Sequence, residues 1–178
     1  MNIKHRINAR KIVLSYFYEK LFVKVFANKQ NILDEIFKLE KDINYSATSD
    51  CEKEDLKNTL STYYQDIDSQ DDLQYITDRF FEKEKDKWID FDYIKAIVSN
   101  YEKFENEITE KINQSSVTFK IDEMDIVDRV IFFIGYIEFK TLWTDKNVVL
   151  NEMIELAKRY GDDWSPKLIN GILHNILE

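Results

Sequence analysis

The 178-residue chain contains one cysteine, one proline, three glycines and two histidines. A lone Cys51 can close no internal disulfide and cannot build a cysteine-based zinc site by itself. A reducing compartment is its natural setting. The scarcity of glycine and proline works against an all-β domain, whose many turns draw on those two residues, and points to helices. No stretch approaches ~18 uninterrupted apolar residues, so no membrane span is expected. The N-terminus carries basic residues but no apolar run followed by a small-residue cleavage site, so no signal peptide is expected. A glycine-rich phosphate loop, a Gly-x-Ser-x-Gly element and a Cys–His arrangement are all absent. The two histidines, His5 and His174, sit at opposite ends of the sequence. No enzymatic activity, no metal and no cofactor are therefore expected.

Apolar residues make up 44% of the chain, enough for a real core. The length suits one domain spanning residues 1–178. The net charge of −9 argues against a general polyanion binder. That charge is unevenly placed. Residues 1–29 hold seven Lys/Arg and one Glu, whereas residues 30–92 hold eight basic and eighteen acidic residues. A basic end on an acidic body suggests a local anion site rather than a diffuse one.

Hydrophobic spacing predicts an all-α protein. Helix one should run from about Ile7 to Phe26, with Ala9, Ile12, Val13, Tyr16, Phe17 and Leu21 recurring at steps of three and four. Arg6 and Arg10 are four apart, so they stack beside that stripe. A second helix is expected over Asn31 to Asp42, then a loop at 44–52. Two strongly charged helices follow at 53–65 and 70–87. Asp92 is placed to cap a helix from Tyr93 to about Ile112. Met124 to about Thr141 is apolar nearly all round, which puts it at the centre of the fold. Gly135 inside it costs ~1 kcal/mol of helix propensity and hints at a close helix contact. Val148 to Tyr160 should end at Gly161, suited to a left-handed C-cap. Ser165-Pro166 reads as an N-cap followed by Pro at the first helical position, opening a last helix to Leu177.

Residues 150–173 read Leu-Asn-Glu-Met-Ile-Glu-Leu-Ala-Lys-Arg-Tyr-Gly-Asp-Asp-Trp-Ser-Pro-Lys-Leu-Ile-Asn-Gly-Ile-Leu. This stretch resembles the C-terminal signature of the NusB family of transcription antitermination factors. The basic start of helix one, with Ala9-Arg10 and the apolar stripe to Tyr18, resembles the family's arginine-rich first helix. Gly135-Tyr136-Ile137-Glu138 resembles the end of its apolar core helix. The likeness covers roughly residues 4–20 and 90–178. The acidic segment at about 25–88 is longer than the family usually carries.

The resemblance implies a compact bundle of about seven or more helices in two packed halves, with the enlarged acidic helical segment in the middle. It implies a cytoplasmic, non-enzymatic regulator of transcription, monomeric or homodimeric. Such a protein binds single-stranded boxA-type RNA together with a ribosomal small-subunit protein. The pair joins the RNA polymerase complex and makes it resistant to termination, chiefly in ribosomal RNA transcription. Two other roles fit the same likeness: a helical protein-interaction module without strong RNA binding of its own, and the regulatory domain of an RNA methyltransferase. No catalytic domain is expected beside the helical one, which ranks the latter role last.

The same resemblance assigns candidate residues. Lys4, His5, Arg6, Arg10 and Lys11 would contact RNA. Guanidinium offers planar donors to phosphate and stacks on splayed bases. Cations at a helix N-terminus also oppose the macrodipole, a cost without structural return. Trp164, Ser165 and Lys167 would extend the RNA surface across the Gly161–Trp164 loop. Trp164 stands where the family often has an acidic residue, and is open to stacking on a base or packing on a neighbour. Leu168 stands where the family has an aromatic. Asp122, Glu123 and Asp128 would face the ribosomal protein, or merely complement a helix N-terminus. Asn151 and Asn170 are expected to hold the last two helices together through buried hydrogen bonds. Gly161 is expected as a cap, and Gly171 as a point of close approach. Glu152 and Glu155 lack the histidines of a carboxylate metal site.

Overall fold

A computed structural model describes residues 3–28, 55, 58, 59, 62, 71–81, 89–117 and 119–178. Seven bounded α-helices occur among the described residues, with no strand. They are α1 (Ile3–Asn28), α2 (Asp72–Phe80), α3 (Phe91–Val98), α4 (Tyr101–Ser115), α5 (Ile126–Leu142), α6 (Lys146–Tyr160) and α7 (Ser165–Ile176). A short 3-10 turn, Ile121–Glu123, precedes α5. The expected helix at 31–42 and loop at 44–52 lie outside the described residues, as does most of the acidic segment. Of the helix expected at 53–65, Asp55, Asn58, Thr59 and Thr62 are described, and all four are helical. Of that expected at 70–87, α2 covers residues 72–80.

The chain divides into two compact units, residues 19–75 and residues 1–18 with 76–178. In the smaller unit, Lys20 pairs with Asp72 at 3.0 Å and the Tyr75 hydroxyl donates to Glu19 at 2.9 Å. Asp71 caps α2 by accepting from the backbone N–H groups of Leu73 and Gln74.

The larger unit is organised around α5, whose residues 130–138 are all buried. α6 and α7 pack on it and on each other, and α3 and α4 also pack on it. Gly135 marks a close approach of α5 to α6 and α7. A Cβ there would lie 2.8 Å from Met153 Cγ of α6 and 3.2 Å from Leu173 Cδ1 of α7. The expected close contact is thus present. On α1, Ala9, Val13, Tyr16 and Phe17 are buried, as the spacing requires. Phe17 stacks on Tyr101 of α4 at 4.6 Å between ring centroids, and Tyr101 lies 5.0 Å from Phe133 of α5. These rings tie the first helix to the centre by aromatic contact.

Three local features differ from the sequence expectations. The helix expected from Tyr93 to Ile112 is two helices, broken at Ser99–Asn100. Its N-cap is Asp90 rather than Asp92, with the Asp90 carboxylate accepting from the Tyr93 N–H at 3.0 Å. Gly161 ends α6 in an extended conformation, not a left-handed one. A Cβ at Gly161 would still collide with Ser165 Oγ at 2.5 Å and with the Ala157 carbonyl at 2.9 Å, so glycine is required for space. The start of α7 is capped by Asp162, which accepts from the N–H groups of Trp164 and Ser165 at 2.7 and 2.8 Å. Ser165 is the first residue of the helix, not its cap.

Candidate nucleic-acid interface

The first three turns of α1 carry the basic residues expected to meet RNA. They divide into two groups. Lys4 is exposed, and His5 and Lys11 are half-buried. Arg6 pairs with Asp90 at 2.8 Å and lies over the Tyr93 ring, 4.6 Å from its centroid. Arg10, expected on the surface, is only 4% exposed.

The position of Arg10 follows from its partners. Its Nε and Nη2 donate to the two carboxylate oxygens of Glu138 at 3.0 and 2.7 Å, and Nη1 donates to Glu152 at 2.7 Å. Glu138, fully buried on α5, also accepts from the Tyr93 hydroxyl at 2.8 Å. Burial alone would lower the affinity of the guanidinium for its proton. The fork of hydrogen bonds and the charge of Glu138 more than reverse this and hold Arg10 firmly protonated. Burial and the adjacent Glu138 push the Tyr93 hydroxyl well above its ordinary range. Arg10 therefore joins α1, α5 and α6 from inside the unit. Its geometry is that of an anchor, which corrects its expected place on the RNA-facing surface.

Beside this anchor, α1 and α6 leave a cleft of about 520 Å³. Ile7 and Leu156 supply its apolar lining, and Arg10, Lys11, Glu152, Glu155, Lys158 and Arg159 its charges. Lys158 and Arg159 went unnoticed in the sequence because cations in a last helical turn are ordinary partners of the helix dipole. From Arg159 the chain reaches Trp164 within five residues, a span of at most ~18 Å.

On that loop the Trp164 ring is 70% exposed, and the Lys167 ammonium lies 4.8 Å from its centroid. Packing against a neighbour is therefore not the main role of the indole. Ser165, in contrast, is 1% exposed. Its hydroxyl accepts from the Asp162 N–H at 3.0 Å, so it holds the loop together and is removed from the surface expected for RNA. The backbone donors from Trp164 and Ser165 draw the Asp162 carboxyl below its ordinary value.

Of the three acidic residues expected to face a protein partner, Asp122 and Glu123 are exposed. Asp122 lies 3.4 Å from Arg129, and Glu123 accepts from the Lys120 N–H at 2.9 Å. Asp128 is instead buried, at 4% exposure, with Oδ1 lacking a hydrogen-bond partner among the described residues. A carboxylate so enclosed cannot be presented to a partner, which corrects that expectation. Burial raises its pKa; the neighbouring Ser165 hydroxyl opposes the rise, and the charges of Asp162 and Asp125 add to it. Asn151 and Asn170 are exposed rather than buried between the last helices. A Cβ on Gly171 would meet nothing within 4 Å, so that glycine permits no close approach.

The family model for NusB matches residues 58–178. A "Transcription antitermination protein NusB" of Streptomyces avermitilis is 39% identical over 90 residues, covering 49% of this chain and 61% of that protein. That of Streptomyces coelicolor is 40% identical over 90 residues, covering 49% and 62%. That of Staphylococcus carnosus is 35% identical over 88 residues, covering 49% and 69%. The chain thus spans about three fifths of the length of the two Streptomyces relatives. A solved structure of T. maritima NusB aligns over 97% of this chain and 89% of its own, with a TM-score of 0.49 and 21% identity.

Proposed function

The chain belongs to the NusB family, and we propose that it binds single-stranded boxA-type RNA together with a ribosomal small-subunit protein, making RNA polymerase resistant to termination in ribosomal RNA transcription. The observation that carries this is the exposed Trp164 ring with the Lys167 ammonium beside it. An aromatic face accepts an unstacked base, and the adjacent cation accepts its phosphate. Lys4 and Lys11 extend the cationic surface along α1, and His5 lies between them on the same helix. Arg6 and Arg10 are engaged by internal carboxylates and support that surface from behind. Asp122 and Glu123 are the acidic side chains that would meet the basic ribosomal protein. The protein works in the cytoplasm and performs no catalysis in this scheme.

A helical interaction module without strong RNA binding is the rival, favoured by the internal use of Arg10 and by the net charge of −9. Binding of the intact protein to a boxA-like RNA oligonucleotide, with and without the ribosomal protein, separates the two. About four phosphate contacts to a single strand predict that log K falls with log salt at a slope of ~−3. Absence of binding even with the partner present would refute the RNA-binding role.

A further inference from the structure

The α1–α6 cleft holds more positive charge than its pairings use. Glu152 is engaged by Arg10 at 2.7 Å, and Glu155 by Lys158 at 2.7 Å. Neither Lys11 nor Arg159 forms an ion pair among the described residues. Both line the same cleft, on opposite helices, in a chain whose net charge is −9. Arg159 lies over the Tyr160 ring, 5.6 Å from its centroid, and complements the helix dipole, but neither contact neutralises its charge or accounts for Lys11 across the cleft. Between them lie the apolar side chains of Ile7 and Leu156. The volume of about 520 Å³ falls in the ~300–1,000 Å³ range of small-ligand sites.

We propose that this cleft is a nucleotide subsite, in which Lys11 and Arg159 bind a phosphate while Ile7 and Leu156 meet the sugar or base face. A phosphate takes charge-assisted hydrogen bonds from both cations. A flat, weakly polar ring suits the apolar lining. Glu152 and Glu155, already paired, remain near enough to accept from ribose hydroxyls and to repel a second phosphate group. The nucleotide can be one unit of the RNA chain held at Trp164 or a free nucleotide. The first case rests on the RNA-binding role proposed above; the second stands without it.

Two measurements on the intact protein decide the matter. The first compares RNA binding by the wild type, by Lys11→Ala/Arg159→Ala and by Lys4→Ala/Lys167→Ala, each shown to be folded by circular dichroism. The second follows acylation of Lys11 by mass spectrometry as uridine monophosphate is raised to millimolar concentration. An RNA-chain subsite predicts about tenfold weaker RNA binding in Lys11→Ala/Arg159→Ala and a salt slope shallower by ~0.7, one phosphate contact being lost. A free-nucleotide subsite predicts that uridine monophosphate protects Lys11, and that Arg159→Ala abolishes the protection. Wild-type RNA affinity and slope in Lys11→Ala/Arg159→Ala, with no protection of Lys11, would overturn the subsite while leaving RNA binding intact. A wild type that binds no RNA yet shows protection removes the RNA role and keeps the subsite. Failure of both RNA binding and protection overturns both.

Discussion

Arg10 and Glu138 meet as a two-pronged ion pair, with Nε–Oε2 at 3.0 Å and Nη2–Oε1 at 2.7 Å, in a region where neither side chain is more than 5% exposed. The attraction offsets the cost of removing both charges from water only while both partners remain. Arg10→Ala leaves Glu138 charged, buried and reliant on Tyr93 alone. The expected loss is about 3–5 kcal/mol of stability, or roughly a 10 °C fall in Tm at ~2–4 °C per kcal/mol. Arg10→Met combined with Glu138→Gln should recover part of it, because no charge is then left buried beside Tyr93. Thermal denaturation of both variants checks the order.

Asp128 makes the opposite case, a buried carboxyl with no ion pair among the described residues. Its pKa in the folded protein is raised above 3.8. The folded state therefore holds the proton more tightly than the unfolded chain does. The stability this provides is complete below pH 3.8 and is lost as pH rises through the folded value. Asp128→Asn should exceed the wild type by about 1 kcal/mol at pH 7, with the gap closing as pH falls toward 4. Tm measured for the pair between pH 4 and 8 gives the answer; a gap that does not change with pH contradicts the assignment.

The three glycines should respond differently to alanine. Gly171→Ala fills open space on a helix and should stabilise by about 0.5–1 kcal/mol through helix propensity. Gly135→Ala gains the same propensity but forces Met153 aside, and overpacking of ~1–3 kcal/mol makes the net effect neutral to destabilising. Gly161→Ala meets the Ala157 carbonyl, which cannot move without opening α6, and should be the most damaging. Chemical denaturation of the three variants should rank them in that order.

Trp164 should report RNA directly. If a base stacks on its ring, RNA quenches the indole fluorescence, and Trp164→Phe removes most of the change. Trp143, 88% exposed at the far end of α5, is the control, and Trp143→Phe should leave the quenching in place. Equal quenching in both variants would place the RNA elsewhere.

Much of the larger unit could be read from the sequence. The dense apolar period of α5, the glycine stop after Tyr160 and the Ser-Pro start of α7 are strong local signals, and all three helices lie within two residues of their expected bounds. The break at Ser99–Asn100 was hidden because the apolar spacing from Ile94 to Ile108 continues through it. Asp90 and Asp92 both suit a cap by composition, and only the fold selects one. The site was harder to read for a different reason. Arg10 resembles its neighbours Arg6 and Lys11 in type and spacing, and its burial depends on Glu138, 128 residues away. The Asn151 and Asn170 signature suggested buried polar contacts, yet both face solvent. Lys158 and Arg159 carry no signal of a site because a cleft between α1 and α6 has no local sequence signature.

The separation of Arg10 from Glu138 also bears on how the protein is made. The ribosome delivers α1 first and Glu138 only 128 residues later, roughly 6–25 s at ~5–20 residues per second. The buried face of α1, from Ala9 to Phe17, lacks Tyr101 for the first part of that interval and Glu138 for all of it. The nascent helix is then an unsatisfied amphipathic segment awaiting the last helices, and slowing synthesis before Glu138 lengthens its exposure to chaperones and proteases.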